Sequence, residues 1–228
     1  MKPAELRYWA ASQAAVRCQN ALNEQGISIA VTIDPKEVAE SVAAIGKPYL
    51  TPVLDPERND FNEANFFWLI ASRDEVPVIV GGGRLDELAC NVGTHMAQGL
   101  NRAYGSGTVS SINPEVDAQL SGRVCYLGDL FSKSGKGLAR SSRKCFLGIA
   151  NFISAVHFRA DCTYSFMRVS DVMRGSADVN GFDRRIYDPL TWGVVPDARN
   201  ATELIVYRNS TSDLDYFNHI TRELEQRE

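Results

Sequence analysis

The sequence predicts an α+β domain whose helices and strands share one core. At 228 residues, the chain suits one domain with additions better than two domains. Apolar residues make up 44% and charged residues 23%, a globular composition that excludes a disordered or fibrous chain. Segments with the two-residue period of strands and segments with the period of helices succeed one another along the chain.

The net charge and the cysteine and histidine content limit the partners and ligands that we expect the protein to bind. The net charge of −4 gives no general basic field, so we expect neither nucleic acid nor a membrane as partner. The five cysteines include no CxxC pair and the three histidines lie far apart, which predicts reduced thiols and no metal site. Residues 1–10 carry charges and form no signal sequence, and no apolar stretch is long enough to span a bilayer. We therefore expect a cytoplasmic protein.

An N-terminal portion, residues 1–60, reads as helix, strand and helix. Composition predicts the first helix over residues 4–24, and alternating apolar residues predict a strand over 27–33. Asp34 and the proline after it are typical of a second helix start. Residues 47–62 contain three prolines and are expected to form a surface loop.

A hairpin and an insertion follow. Two apolar runs, residues 65–72 and 77–83, are separated by a short polar turn and predict paired strands. The insertion, residues 86–122, divides into a predicted helix over 86–104 and a Gly- and Ser-rich loop over 105–122. It offers surface for an acceptor pocket or for a dimer contact.

The second half of the chain is more regular. Apolar periodicity predicts three strands and three helices there. The expected strands cover residues 124–131, 161–168 and 203–207, and the expected helices cover 138–158, 170–180 and 212–226.

A basic, glycine-containing loop at residues 132–137 (SKSGKG) joins a predicted strand to the long helix. Free backbone N–H groups and the helix dipole at such a junction suit a phosphate, and glycines permit its close approach. Positive charge gathers around this loop at Lys133, Lys136, Arg140, Arg143 and Lys144. Neither a P-loop nor a dinucleotide fingerprint matches it. The alternative interpretation is a solvated turn whose basic residues serve solubility.

The order of these elements resembles the GNAT superfamily of acyl-CoA N-acyltransferases over residues 60–210. The features that carry it are the hairpin, the strand VCYLGDLF, the loop SGKGLA, the long helix, and a short helix ending at Asn180-Gly181-Phe182. The resemblance implies α/β/α layers around a mixed, mostly antiparallel sheet with helical additions at both termini, and a fourth strand that splays from the fifth. Ser132 stands where the family has Arg or Gln, and Ala177 where it commonly has a tyrosine acid.

The resemblance also implies coenzyme A, as acetyl-CoA, for the acyl donor. Its pyrophosphate would bind the glycine loop, and a backbone N–H at the end of the preceding strand would hold the thioester carbonyl. The binding residues implied in this way are Leu130, Phe131, Ser132, Lys133, Gly135, Lys136, Gly137, Leu138 and Ala139.

Two catalytic residues follow from the same resemblance. Asp129, on the splayed strand, would accept the proton of the attacking amine directly or through water; the alternative is a strand-end carboxylate paired with a Lys or Arg. Tyr187 would be the acid that protonates the thiolate, with Tyr126 as a second candidate. For both tyrosines the alternative is a packed ring with a solvated hydroxyl.

The function implied is acyl-CoA-dependent N-acylation, with acetyl transfer to a small-molecule or peptide amine by direct attack on the thioester. The altered positions Ser132 and Ala177 leave a non-catalytic acyl-CoA-binding or protein-interaction module as an alternative. A third hypothesis is a partner-binding protein whose loop recognises anionic groups. A homodimer is also open, and neither the acceptor nor the acyl chain length can be deduced from these residues.

Overall fold

A computed structural model describes residues 3–88, 91–133 and 140–226, and two sheets lie within them. The strands are β1 (Ile27–Thr32), β2 (Phe66–Arg73), β3 (Val76–Leu88), β4 (Val109–Ile112), β5 (Gly122–Ser132), β6 (Cys162–Arg168), β7 (Arg184–Ile186), β8 (Leu190–Trp192) and β9 (Glu203–Asn209). The helices are α1 (Pro3–Asn23), α2 (Pro35–Ile45), α3 (Val92–Tyr104), α4 (Pro114–Gln119), α5 (Arg140–Phe152), α6 (Val169–Met173), α7 (Ser176–Val179) and α8 (Asp213–Glu225).

The main sheet has seven strands in the order β1-β2-β3-β5-β6-β9-β7. Every neighbouring pair in it is antiparallel except β5 and β6, which run parallel. The two remaining strands, β4 and β8, form a small antiparallel sheet. The predicted mixed, mostly antiparallel sheet is therefore confirmed.

Helices cover both faces of the main sheet. On one face, α1 packs against α5 and α8, and the buried residues there include Leu22, Phe146 and Phe217. On the other face, α2 and α3 pack over β2 and β5, with Val38 and Met96 in the core. Burying a side chain of this size contributes about 1.5–3 kcal/mol each, so both layers stabilise the sheet. Within the described ranges, no helix is both long and apolar enough to cross a membrane.

Most predicted elements occur close to their expected positions, and α2 shows why. The Asp34 carboxylate accepts a hydrogen bond from the Lys36 N–H at 2.8 Å and so caps the first turn. Gly46 ends the helix in a left-handed conformation, with φ at 76°. Local sequence alone specifies these two boundaries.

The insertion differs most from its prediction. β3 continues to Leu88, so the helix predicted from residue 86 begins only at Val92. The segment predicted as loop, 105–122, contains β4 and α4. β4 pairs with β8, a strand about eighty residues later that sequence periodicity also missed. Strands of three or four residues are too short for a periodic pattern, and a distant partner determines them.

The buried side chain of Arg208 links α5, the turn after α7 and α8. Arg208 on β9 donates from Nε to Asp213 at 2.8 Å and from Nη2 to the Asn151 side-chain oxygen at 3.0 Å. Its Nη1 donates to the carbonyl of Gly181, and its guanidinium lies 4.0 Å from the centre of the Tyr216 ring. These contacts fix the turn after α7, and Gly181 there has a φ of 84°.

We expect Gly181→Ala to destabilise the protein more than Gly175→Ala does. Both glycines have a φ near 80°, which costs a residue with a Cβ about 1–2 kcal/mol. A Cβ at Gly181 would lie 2.3 Å from the Tyr216 ring, whereas a Cβ at Gly175 would meet nothing within 4 Å. Overpacking should add about 1–3 kcal/mol to the loss for Gly181→Ala. Urea denaturation of both variants measures the difference, and equal losses would contradict this packing.

Candidate active site

A cleft opens in the middle of the main sheet, where β5 and β6 separate. The parallel pairing joins Val124–Tyr126 to Cys162–Tyr164, and within the described residues it extends no further. Beyond this point, β5 stays with β3 and β6 stays with β9. The gap is a cleft of about 520 Å³ with residues 126–131 on one wall and 165–168 on the other.

A β-bulge bends β5 where the cleft begins. Val80 lies opposite Phe131 and Gly82 opposite Gly128, so Gly81 alone faces Asp129 and Leu130. The extra residue increases the local bend of the strand. Asp129 has a φ of 55°, a conformation that costs energy for a residue other than glycine. Such strain persists only where other contacts hold the residue in place.

The side chain of Asp129 is held by the loop before β2. Its carboxylate lies 2.6 Å from Lys47 Nζ, and it accepts hydrogen bonds from Thr51 Oγ1 at 2.6 Å and from the Thr51 N–H at 3.1 Å. The Asp129 side chain is 1% exposed and that of Lys47 is 7% exposed. The structure thus shows the lysine pairing that the sequence offered as an alternative. A role for Asp129 as proton acceptor stays a prediction.

The two candidate tyrosines lie in different places. Tyr187 is 60% exposed and lies between β7 and β8, where its carbonyl accepts a hydrogen bond from Asn113 at 3.2 Å. It does not line the cleft, so the structure does not bring Tyr187 together with Asp129. Tyr126 is buried and lines the cleft wall. Burial raises the pKa of its phenol, and the nearby Arg199 opposes that rise.

The structure describes four of the nine predicted coenzyme-binding residues. Leu130 and Phe131 line the cleft, and Ser132 and Lys133 continue beside β3, where the Lys133 N–H donates to the Val78 carbonyl at 3.1 Å. Arg143, near the start of α5, lines the cleft and donates to Ser132 Oγ at 2.5 Å. The rest of the prediction lies outside the described residues, namely Gly135, Lys136, Gly137, Leu138 and Ala139.

Sequence reasoning missed two charged residues of the cleft, Arg199 and Glu203. Their side chains are 4% and 12% exposed, and Arg199 Nη2 lies 2.9 Å from Glu203 Oε2. The guanidinium lies 4.3 Å from the centre of the Phe166 ring and 5.9 Å from that of Trp192. Arg199 belongs to an irregular loop before β9, so no periodicity in the sequence places it beside the cleft.

Glu203 has the properties of a proton acceptor. Burial raises the pKa of its carboxyl group, while the charges of Arg199 and Arg168 oppose the rise. Its Oε2 accepts no hydrogen bond from any part of the chain that the structure describes. A buried carboxylate whose pKa is raised, and whose oxygen accepts no hydrogen bond from the described residues, is suited to general-base chemistry.

The insertion covers the face of the sheet near Arg199 and Glu203. α3 packs over β5 and borders a second, narrow cavity of about 20 Å³, which shares Tyr126, Phe166 and Arg199 with the cleft. Arg84 pairs with Asp86 at 3.0 Å, His95 Nε2 lies 3.2 Å from the same carboxylate, and all three side chains line this cavity. In the described ranges, no three His, Cys, Asp or Glu side chains lie together in a way that could hold a metal ion.

Comparison with known proteins gives structural likeness only, since no protein-family model and no curated protein matches this chain. Arabidopsis thaliana NAA60 in complex with acetyl-CoA is 9% identical, covering 80% of this chain and 98% of its own, with a TM-score of 0.47. An acetyltransferase from Streptococcus agalactiae is 16% identical, covering 81% and 99%, with a TM-score of 0.44. FeeM, an N-acyl amino acid synthase from uncultured soil microbes, is 12% identical, covering 82% and 92%, with a TM-score of 0.46.

The strand arrangement of the main sheet identifies the fold type. A parallel pair that opens into a cleft, inside an otherwise antiparallel sheet, is the feature that the sequence resemblance implied. The fold is GNAT-like. The chain has an insertion with its own strand and two helices between β3 and β5, and Ala177, at the position where the resemblance implies a tyrosine acid, is fully buried.

We expect Asp129→Asn to lower the free energy of unfolding by about 3–5 kcal/mol, because it leaves the buried Lys47 without its anion. The double variant Lys47→Met/Asp129→Asn should recover part of this loss, since both charges are then removed. Chemical denaturation measures all three proteins.

Lys36→Met is the matched control, because Lys36 pairs with Glu40 at 3.8 Å on an exposed helix face. It should change stability by less than about 0.5 kcal/mol. A double variant less stable than Asp129→Asn would contradict the pairing of Lys47 with Asp129 as the cause.

Proposed function

We propose that this protein is an acyl-CoA-dependent N-acyltransferase that transfers an acyl group, acetyl in the simplest case, to an amine by direct attack on the thioester. The observation that carries the proposal is the cleft between β5 and β6. It is lined from both faces of the sheet, by Phe146 on α5 on one face and by Phe166 and Arg199 on the other. A donor and an acceptor can therefore meet inside the sheet from opposite faces.

The donor fits the wall formed by β5 and the start of α5. Leu130 and Phe131 would flank its pantetheine arm, and Arg143 with Lys133 would face its phosphates near the predicted glycine loop. Coenzyme A supplies an acyl group activated as a thioester. The described residues of this wall fit such a molecule, because the cleft is partly apolar and carries Arg143 at its rim.

The chain's own residues supply the proton transfers. Glu203 accepts the proton of the amine, because its Oε2 accepts no hydrogen bond from the described residues and Arg199 stabilises the carboxylate beside it. Tyr126, on the opposite wall of the cleft, is the proton donor for the departing sulfur. In this proposal, Asp129 positions the bulge rather than moving a proton.

A non-catalytic acyl-CoA-binding module is the second candidate. The buried Ala177 favours it, since this position provides no hydroxyl for the thiolate. Release of free thiol from acetyl-CoA across a panel of amines would overturn this second candidate, whereas binding of acetyl-CoA without turnover would overturn the first.

We expect acetyl-CoA and longer acyl-CoAs to bind, with heat in a calorimetric titration and a raised melting temperature. Arg143→Gln should weaken binding about 3–10-fold and reduce its salt dependence, because it removes one charge that faces the phosphates. Arg222→Gln, an exposed change on α8, is the matched control and should leave affinity unchanged. Absence of binding with every acyl-CoA would remove the proposal.

We expect the rate of acyl transfer to fall as the pH drops through the pKa of Glu203, because the protonated acid cannot accept a proton. Since burial raises this pKa, the fall should begin at a higher pH than for an ordinary carboxylate. Glu203→Gln should abolish this acidic limb and lower kcat about 10²–10⁴-fold. Glu87→Gln, on the surface, should keep the wild-type pH profile. An acidic limb that survives in Glu203→Gln but disappears in Asp129→Asn would assign the base to Asp129 instead.

A further inference from the structure

Arg199 is a buried cation with unused hydrogen-bond donors. Its side chain is 4% exposed, and its Nε and Nη2 have no hydrogen-bond partner among the residues that the structure describes. Nη2 lies 2.9 Å from Glu203 Oε2, but the two groups are not aligned for a hydrogen bond. Buried donors of this kind are costly unless a ligand or ordered water satisfies them.

The two unused donors belong to one edge of the guanidinium. Nε and Nη2 point the same way in the planar group and together match the two oxygens of a carboxylate. The aromatic rings of Phe166 and Trp192 flank the guanidinium at 4.3 and 5.9 Å and limit its movement. The Nε–Nη2 edge of Arg199 thus has the geometry that pairs with an anion whose two oxygens lie in one plane.

The charge of the site restricts that anion further. Glu203 already neutralises Arg199, and its own Oε2 also lacks a hydrogen-bond donor in the described part of the chain. Adding a carboxylate alone would give the ligand and the Arg199–Glu203 pair a net negative charge. A ligand with both an amine and a carboxylate supplies a partner for Glu203 as well as for Arg199. The other buried cation of the cleft, Lys47, is already bound to Asp129 at 2.6 Å.

We propose that the acyl acceptor is an amino acid, with its amine one or two carbons from its carboxylate. This inference rests on the proposed acyltransferase function. The carboxylate binds the Nε–Nη2 edge of Arg199, and the short Nη2–Oε2 distance then places the amine beside Glu203. The amine nitrogen bonds to the thioester carbonyl carbon and the carbon–sulfur bond breaks. Glu203 takes the proton of the amine, and the sulfur leaves with the proton of Tyr126 to give an N-acyl amino acid and free coenzyme A.

Turnover of matched acceptors tests this inference. Free thiol is measured with acetyl-CoA and the twenty common L-amino acids, and then with the decarboxylated amine and the carboxamide of each amino acid that is used. At least one amino acid should be used, and whichever is used should exceed its amine or its carboxamide about 100-fold in kcat/KM, because the amine and the amide leave the buried Arg199 unpaired.

Variants of Arg199 test whether this residue causes the preference for an amino acid over its amine. Arg199→Gln should reduce it to less than about 3-fold, and Arg199→Lys, which keeps the charge but loses the planar edge, should reduce it about 10-fold. Arg222→Gln should leave it unchanged. Acetyl-CoA binding by each variant shows that it is folded, and the Lys variant serves if the Gln variant does not fold.

The outcomes separate this inference from the proposed function. Equal turnover of amino acids and of their decarboxylated amines would overturn the inference and leave the acyltransferase function intact. Absence of acyl-CoA binding would overturn the acyltransferase function. Binding of the N-acetyl amino acids to the wild-type protein is measured separately by calorimetry: binding that Arg199→Gln abolishes supports the carboxylate site, and no binding by any of them overturns it.

Discussion

The cleft depends on one bulge and on the buried ion pair that holds it. β5 pairs with β6 over only three residues before Asp129 adopts a positive φ and the strand turns away. A non-glycine residue in that conformation is strained, and the contacts of its carboxylate with Lys47 and Thr51 offset the strain. The same contacts attach the loop before β2 to the sheet. Through these contacts, Asp129 links the shape of the cleft to the stability of the fold.

The layers on the two faces allow such a gap to exist inside a stable sheet. Opening a central strand pair exposes backbone groups and removes side-chain contacts, which would be costly in a thin sheet. Here α1, α5 and α8 cover one face, and α2 with the insertion covers the other. The opening is consequently a bounded cleft, and the two faces supply chemically different walls. A basic rim lies near α5, whereas Arg199 and Glu203 lie on the face that the insertion covers.

The sequence predicted the regular elements and the fold type well, because those depend on local patterns. Helix α2 has its cap and its terminal glycine in the sequence, and the strands of the main sheet carry long apolar runs. Some of the predicted site residues lie at the cleft, and their roles stay predictions. Leu130 and Phe131 do line the cleft, and Asp129 lies at its opening with the lysine partner that was offered as an alternative. Tyr187 instead lies at the surface between β7 and β8, two strands that are too short to give a periodic pattern in the sequence.

Local sequence by itself thus determined where most helices and strands begin and end, and the basic character of the segment between β5 and α5. Only the tertiary structure decided which charges meet in the cleft. Lys47 and Asp129 are eighty-two positions apart, and the folded sheet is what brings Arg199 beside Tyr126 and Phe166. The physical reason is that burial and pairing of charged groups depend on three-dimensional neighbours, whereas helix caps and strand periodicity depend on residues a few positions away.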